Sequence, residues 1–270
     1  MSSLLQTLAP YAGFSRVGFV NILAFRLRYF TGIITYALNV TIYYFIWSAV
    51  FRSGQSIAGY NLAQMITYVS VGWIIRSFYT NTIDQEMAYE MIEGNIAMNL
   101  IKPVSVQWMW ISRAVGESSF RLSLLTVPTA ILISFIFRVQ PPASHKDFAL
   151  FLVAVLGSFF LMAAINFIIG TCAVPLKSIL ALIRAKFWLI ELLSGLLIPM
   201  SYFPEKLRTV LAWLPFEHIA YTPLQIYLGK LDEPGAIRAL ATQWAWVFFL
   251  LVLGDLWWAW ASRRMTIQGG

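Results

Sequence analysis

The 270-residue chain is 59% hydrophobic and only 11% charged, with a mean hydropathy of +0.71, where soluble domains run at roughly 45–50% and 25%. That balance excludes a soluble globular domain and implies an integral membrane protein. The formal charge is +7, but the basic residues stand at the ends of apolar runs, the pattern that orients membrane helices rather than one that binds nucleic acid.

Residues 1 to 13 carry no charged side chain and no compact apolar stretch leading to a cleavage site, so no secretory signal peptide is expected. Residues 14–28 mix Arg16, Arg26 and Arg28 with Phe14, Phe19 and Leu23. That composition suits an interfacial helix on an anionic leaflet, or the lower end of the first span. From Tyr29 to Phe51 there is no charged residue, and about 20 such residues cross a bilayer. A turn containing Gly54 and Gly59 leads to a second uncharged run, 53–75, closed by Arg76, which reads as an anchor snorkelling to the interface.

Residues 83–103 change character, with Asp84, Glu86, Glu90 and Glu93 close together. At helical spacing the three glutamates share one face while Ile83, Met87, Met91 and Met98 gather beside it. An acidic stripe of this kind is either a solvated face or a docking surface for a basic, shape-adaptable partner. Arg113, Glu117 and Arg121, four apart, pair along one face. They lead into a third span, 122–137, which is short and contains Pro128, so it must draw on Gly116 to Phe120 or sit in thinned lipid.

Phe148 to Leu176 supplies a fourth span, and Lys177, Arg184 and Lys186 form a basic turn at the start of a fifth. Glu191 lies deeper in that span and must be neutral, paired or facing a wet cavity. Arg184, two turns back, is its candidate partner, and a role in transport is the alternative. Prolines at 199, 204, 215 and 223 then break an apolar stretch that no lipid-exposed backbone could tolerate. Residues 199–230 are therefore expected to form a re-entrant helical hairpin, with an amphipathic loop on the outer interface as the other reading. A sixth span runs from Ala239 to Trp260, marked by Trp257, Trp258 and Trp260, with Asp255 near its interface within reach of water or Arg76.

A cytoplasmic N-terminus would put about twelve of the 19 Lys and Arg residues inside, which favours six spans with both ends in the cytoplasm. His145 and His218 stand alone, Cys172 is the single cysteine, and there is no HExxH, CxxC, GxSxG or phosphate-binding GxxxxGK[ST]. Neither metal, bound cofactor nor catalysis by this chain is expected, and any ATP must be held by another subunit.

Three passages, GNIAMNLIKPV at 94–104, IPMSYFPEKLRTVLAWLPFEHIAYTPLQIYLGK at 198–230 and IQGG at 267–270, make the chain resemble the permease subunits of type-2 ABC transporters, in particular a bacterial exporter branch. The resemblance implies an all-α integral membrane protein, a single transmembrane domain over 1–270. Its parts would be an N-terminal interfacial helix, six spans, a cytoplasmic coupling helix at 83–103 and an outward hairpin before the last span. Coupling to the ATPase would fall on Glu86, Glu90, Glu93, Asn95 and Lys102, and the gate on Phe203, Pro204, Leu211, Pro215, Phe216 and Tyr227. It implies two copies of an ABC ATPase subunit carrying ATP and Mg, and a second permease in a homodimer or heterodimer. The setting would be the bacterial plasma (inner) membrane. An aromatic content of 16% and few buried charges point to an amphipathic or hydrophobic cargo such as a drug, peptide or lipid-like molecule. The alternative is a proton-coupled secondary transporter using Glu191.

Overall fold

The computed structural model describes residues 2–23, 26–52, 54–176 and 178–264, with the side chains of 2–8, 23, 26–30 and 97 left aside. Lys177 and the 267–270 passage lie outside the described residues, as do the side chains of Arg26 and Arg28. Among the described residues the chain is helical, apart from one isolated antiparallel bridge between Ile57 and Tyr60. The elements are α1 (Ser2–Leu23), α2 (Arg26–Val50), α3 (Leu62–Tyr79), α4 (Ile83–Ile92), α5 (Ala97–Leu100) and α6 (Val106–Arg121). They continue with α7 (Val127–Phe137), α8 (His145–Thr171), α9 (Ala173–Leu176), α10 (Leu180–Leu193), α11 (Glu205–Leu211), α12 (Tyr221–Tyr227) and α13 (Glu233–Ser262).

Local signals fix the starts of several helices. Asn61 and Gln64 form a reciprocal capping box at α3, Ser144 accepts from the Asp147 amide at 3.0 Å at α8, and Asp232 caps α13. Among the described residues four stretches are long and apolar enough to cross a membrane: Thr31–Val50, Val106–Phe137, His145–Leu176 and Glu233–Ser262. At 1.5 Å per residue α3 spans about 27 Å and α10 about 21 Å, less than the roughly 30 Å of hydrocarbon. α10 alone is therefore too short to cross.

Two boundaries differ from the sequence expectation. The N-terminal helix begins at Ser2 rather than at residue 14, and it lies along α6 through a glycine crossing. A Cβ on Gly116 would stand 1.8 Å from the Ser15 carbonyl oxygen, and one on Gly18 would stand 2.1 Å from that of Arg113, so only hydrogen permits this approach. The third apolar stretch starts at Val106, well before Gly116, and runs through a π-helical turn at Leu122–Thr126 into α7. That wider turn precedes Pro128, whose ring and missing donor would otherwise collide with the preceding turn.

α8 is the inner helix, with α3, α4, α12 and α13 packed around it. Small residues let the neighbours close: Gly157 faces the Gln243 side chain and Gly170 faces Met87. After α10, Gly195 turns the chain with φ of 78°, and 3₁₀ turns at Met200–Tyr202 and Pro215–His218 alternate with α11 and α12. The carbonyls freed by this broken path find donors. Tyr68 serves Gly195, Gln243 Nε2 serves His218 at 2.7 Å, and the Tyr221 amide returns to Ser194 at 2.9 Å.

Candidate functional site

A network of ion pairs ties α10 to α3, α4 and α8. Asp84, on α4, is fully buried, because it lies in helical phase with Met87 and Ala88 on the face that packs on α8. Its Oδ2 accepts from Lys186 Nζ of α10 at 2.6 Å. Lys186 also donates to Asn166 of α8 at 2.6 Å, and Asn166 in turn donates to the Asn81 side chain at 2.9 Å. Five residues further along α10, about 140° around the helix, Glu191 accepts from Arg76 Nε of α3 at 2.7 Å. α10 is thus held to α4 and α8 by one charge and to α3 by the opposite one.

These pairings bear on three expectations. Arg76 does not snorkel; its side chain is 14% exposed and stacks 5.0 Å over the Trp73 ring. Glu191 is paired, with Arg76 rather than Arg184, since α10 turns this carboxylate toward α3. Asp255 is exposed on α13, and Arg76 is engaged elsewhere.

The acidic stripe is divided among three environments. Glu86 accepts from the Thr82 hydroxyl at 2.8 Å, Glu90 pairs with Arg113 of α6 at 3.1 Å and also accepts from Asn99, and Glu93 accepts from Asn95 at 2.8 Å on the surface. Lys102 donates to Asn99 at 2.7 Å and stands 5.5 Å from the Phe14 ring of α1. Of the triplet on α6, Glu117 and Arg121 pair as expected, while Arg113 reaches across to Glu90. Burial holds the Glu86 carboxyl above the ordinary 4.5, with Glu117 and Glu90 adding to the shift and Thr82 and Arg113 opposing it.

The methionines were expected on the exposed surface, yet Met87 is fully buried against Gly170 and Met91 is half-buried. Met98 is exposed as expected, and Tyr89, Ile92 and Ile101 add to the exposed apolar surface, the last 75% exposed. Together with Glu93 and Asn95 they form a mixed apolar and acidic surface on α4, α5 and the turn after it. Such a contiguous patch is the usual mark of a protein contact.

A cavity of about 540 Å³ lies between α1, α2, α3, α4 and α6. Trp73, Ile83, Trp110 and Ala114 are buried on its floor, while Asn21, Thr31 and Thr35 are exposed at its lip. Arg76, Glu86, Arg113, Glu117 and Arg121 all contribute to the wall.

The residues expected to form the gate differ in burial. Leu211, Pro215 and Tyr227 are buried, Phe203 and Phe216 are half-buried, and Pro204 is exposed at the start of α11. α12 is the inner arm, packed on α8, and α11 is the outer one, with Trp213 beyond its end 79% exposed.

Asp84, Lys186, Asn166 and Asn81 were missed as a group. The signal available for Asp84 was its phase with Met87 and Ala88; nothing in local spacing announces a partner 102 residues away.

The family model described as "ABC-2 family transporter protein" matches residues 37–269. No curated protein matches the chain.

Proposed function

Because this chain belongs to the ABC-2 transporter family, and is therefore a multi-pass membrane permease that works with an ABC ATPase subunit, we propose that it exports an amphipathic or hydrophobic molecule across the bacterial inner membrane. The chemistry of ATP hydrolysis belongs to the partner, expected in two copies with ATP and Mg, and a second permease completes the pathway as a like or unlike subunit. Six spans with both ends cytoplasmic, α3 and α10 being the short ones, set α4 and α5 toward the ATPase and the broken segment toward the outside.

The observation that carries this reading is the double attachment of α10. A displacement of α4 by the ATPase is transmitted through Asp84 to Lys186, so α10 moves with it. At one point α10 holds the cavity wall through Glu191 and Arg76. At its end, Ser194 holds the broken segment through the Tyr221 amide, and Gly195 accepts from Tyr68 of α3. One rigid helix therefore joins the ATPase-facing surface, the cavity and the outward plug, the physical element a two-state gate requires. Tyr89, Ile92, Met98 and Ile101, flanked by Glu93 and Asn95, serve as the ATPase contact.

The Glu191 carboxylate is already engaged by the Arg76 guanidinium, which argues against its use as a proton carrier. The test is the ATPase rate of the complete transporter in lipid. Amphiphiles of drug, peptide or lipid type are expected to stimulate it, and stimulation by hydrophilic sugars alone would overturn the assignment.

A further inference from the structure

The cavity between α1 and the bundle has an uneven charge balance. Its three arginines are each matched by a carboxylate: Arg76 by Glu191, Arg113 by Glu90 and Arg121 by Glu117. Glu86 stands on the same wall. Among the described residues it has the Thr82 hydroxyl as hydrogen-bond partner and no cation within ion-pair distance. An anion entering here must displace a carboxylate from an arginine, whereas a cation meets an acid that is already available. The remaining wall is apolar and aromatic, with Trp73, Trp110, Ile83 and Leu125. The volume, about 540 Å³, falls in the range of small-molecule sites and is far too small for a polymer or a folded peptide.

We infer that this cavity binds a lipophilic organic monocation, its charge against Glu86 and its apolar body against Trp73, Trp110 and Leu125. The ligand enters from the lip formed by Asn21, Thr31 and Thr35. The inference rests on the reading of the chain as an amphiphile permease and narrows its cargo to one charge class. The Arg76 side of the wall also places the ligand against the pair that holds α10.

Tetraphenylphosphonium and tetraphenylborate, nearly equal in size and opposite in charge, provide the test on the full-length permease in phosphatidylcholine nanodiscs without any ATPase. The phosphonium is expected to bind at one site per chain at least about tenfold more tightly than the borate, and Glu86→Gln is expected to cost about tenfold. Glu233→Gln, outside the cavity, should leave binding unchanged, and Glu86→Lys should reverse the preference. Equal affinity for both ions, tighter borate binding, or an unaffected Glu86→Gln overturns the site. If the variants fail to fold, an azido derivative of the phosphonium must label the wild-type chain on the peptides bearing Glu86 or Trp110; labelling elsewhere overturns it. Phosphonium that binds at Glu86 but never stimulates the complete transporter leaves the site standing and removes the transport reading. Amphiphile-stimulated ATPase that ignores Glu86 does the reverse.

Discussion

Lys186→Met isolates the contact on which the α10 linkage depends. The substitution keeps most of the side-chain length and removes the ammonium, leaving a fully buried Asp84 carboxylate. Among the described residues its Oδ1 has no hydrogen-bond partner, and its Oδ2 loses the 2.6 Å bond to Nζ. Breaking one half of a buried pair costs about 3–5 kcal/mol, which for a chain of this size corresponds to a fall in Tm of roughly 6–20 °C. Asp84→Asn is expected to lower Tm as well, because Lys186 then retains only Asn166. The double variant Asp84→Asn/Lys186→Met removes both charges and should recover most of the loss, since a buried pair as a whole contributes little beyond its own desolvation. The assay is a thermal-unfolding scan of the three variants and the wild type at fixed rate in one detergent, analysed as a double-mutant cycle. Single variants that melt within about 2 °C of wild type, or losses that simply add in the double variant, would refute the pairing.

Three further outcomes test separate parts of the account. Gly116→Ala places a Cβ against the Ser15 carbonyl oxygen at 1.8 Å, so it should cost about 1–3 kcal/mol; it should also abolish thiol cross-linking between Ser15→Cys and Ser112→Cys in a Cys172→Ala background, which an intact α1–α6 crossing supports. Ile92→Asp and Ile101→Asp lie on exposed apolar surface and are expected to weaken co-purification with the ATPase several-fold while leaving Tm unchanged, because neither side chain packs in the fold. Phosphonium binding requires ionised Glu86, whose carboxyl is held above the ordinary 4.5 by burial and faces Glu117, Glu90 and Arg113. Affinity should therefore be full at neutral pH and fall as pH drops through a midpoint above that value, while a pH-independent affinity contradicts the site.

The long apolar stretches were legible in the sequence because a bilayer dictates both their length and their composition. The start of α6 was not, since Arg113, Glu117 and Arg121 interrupt the hydropathy of a helix that continues through them; their pairing with one another and with Glu90 is what makes the continuation tolerable. The breaks in 199–230 followed from proline chemistry, but Gln243, which serves the His218 carbonyl, and Tyr68, which serves Gly195 just before the stretch, come from distant helices. In the acidic helix, counting charges concealed the helical phase. Asp84 shares the buried face of Met87 and Ala88, so the residue that grips α10 was grouped with the solvated glutamates, and a buried methionine was taken as exposed. Arg76 and Glu191, 115 residues apart, show the limit of spacing arguments: each signals the need for a partner, and only the fold supplies it.

The central claim is that nucleotide energy reaches an amphiphile site in this permease through α10. Uptake of tetraphenylphosphonium into inside-out vesicles carrying the complete transporter, with valinomycin and nigericin collapsing all ion gradients, measures it most directly. The account predicts ATP-dependent accumulation that survives the ionophores and is lost with Lys186→Met. Accumulation driven by an imposed pH gradient without nucleotide, and abolished by Glu191→Gln, would contradict it.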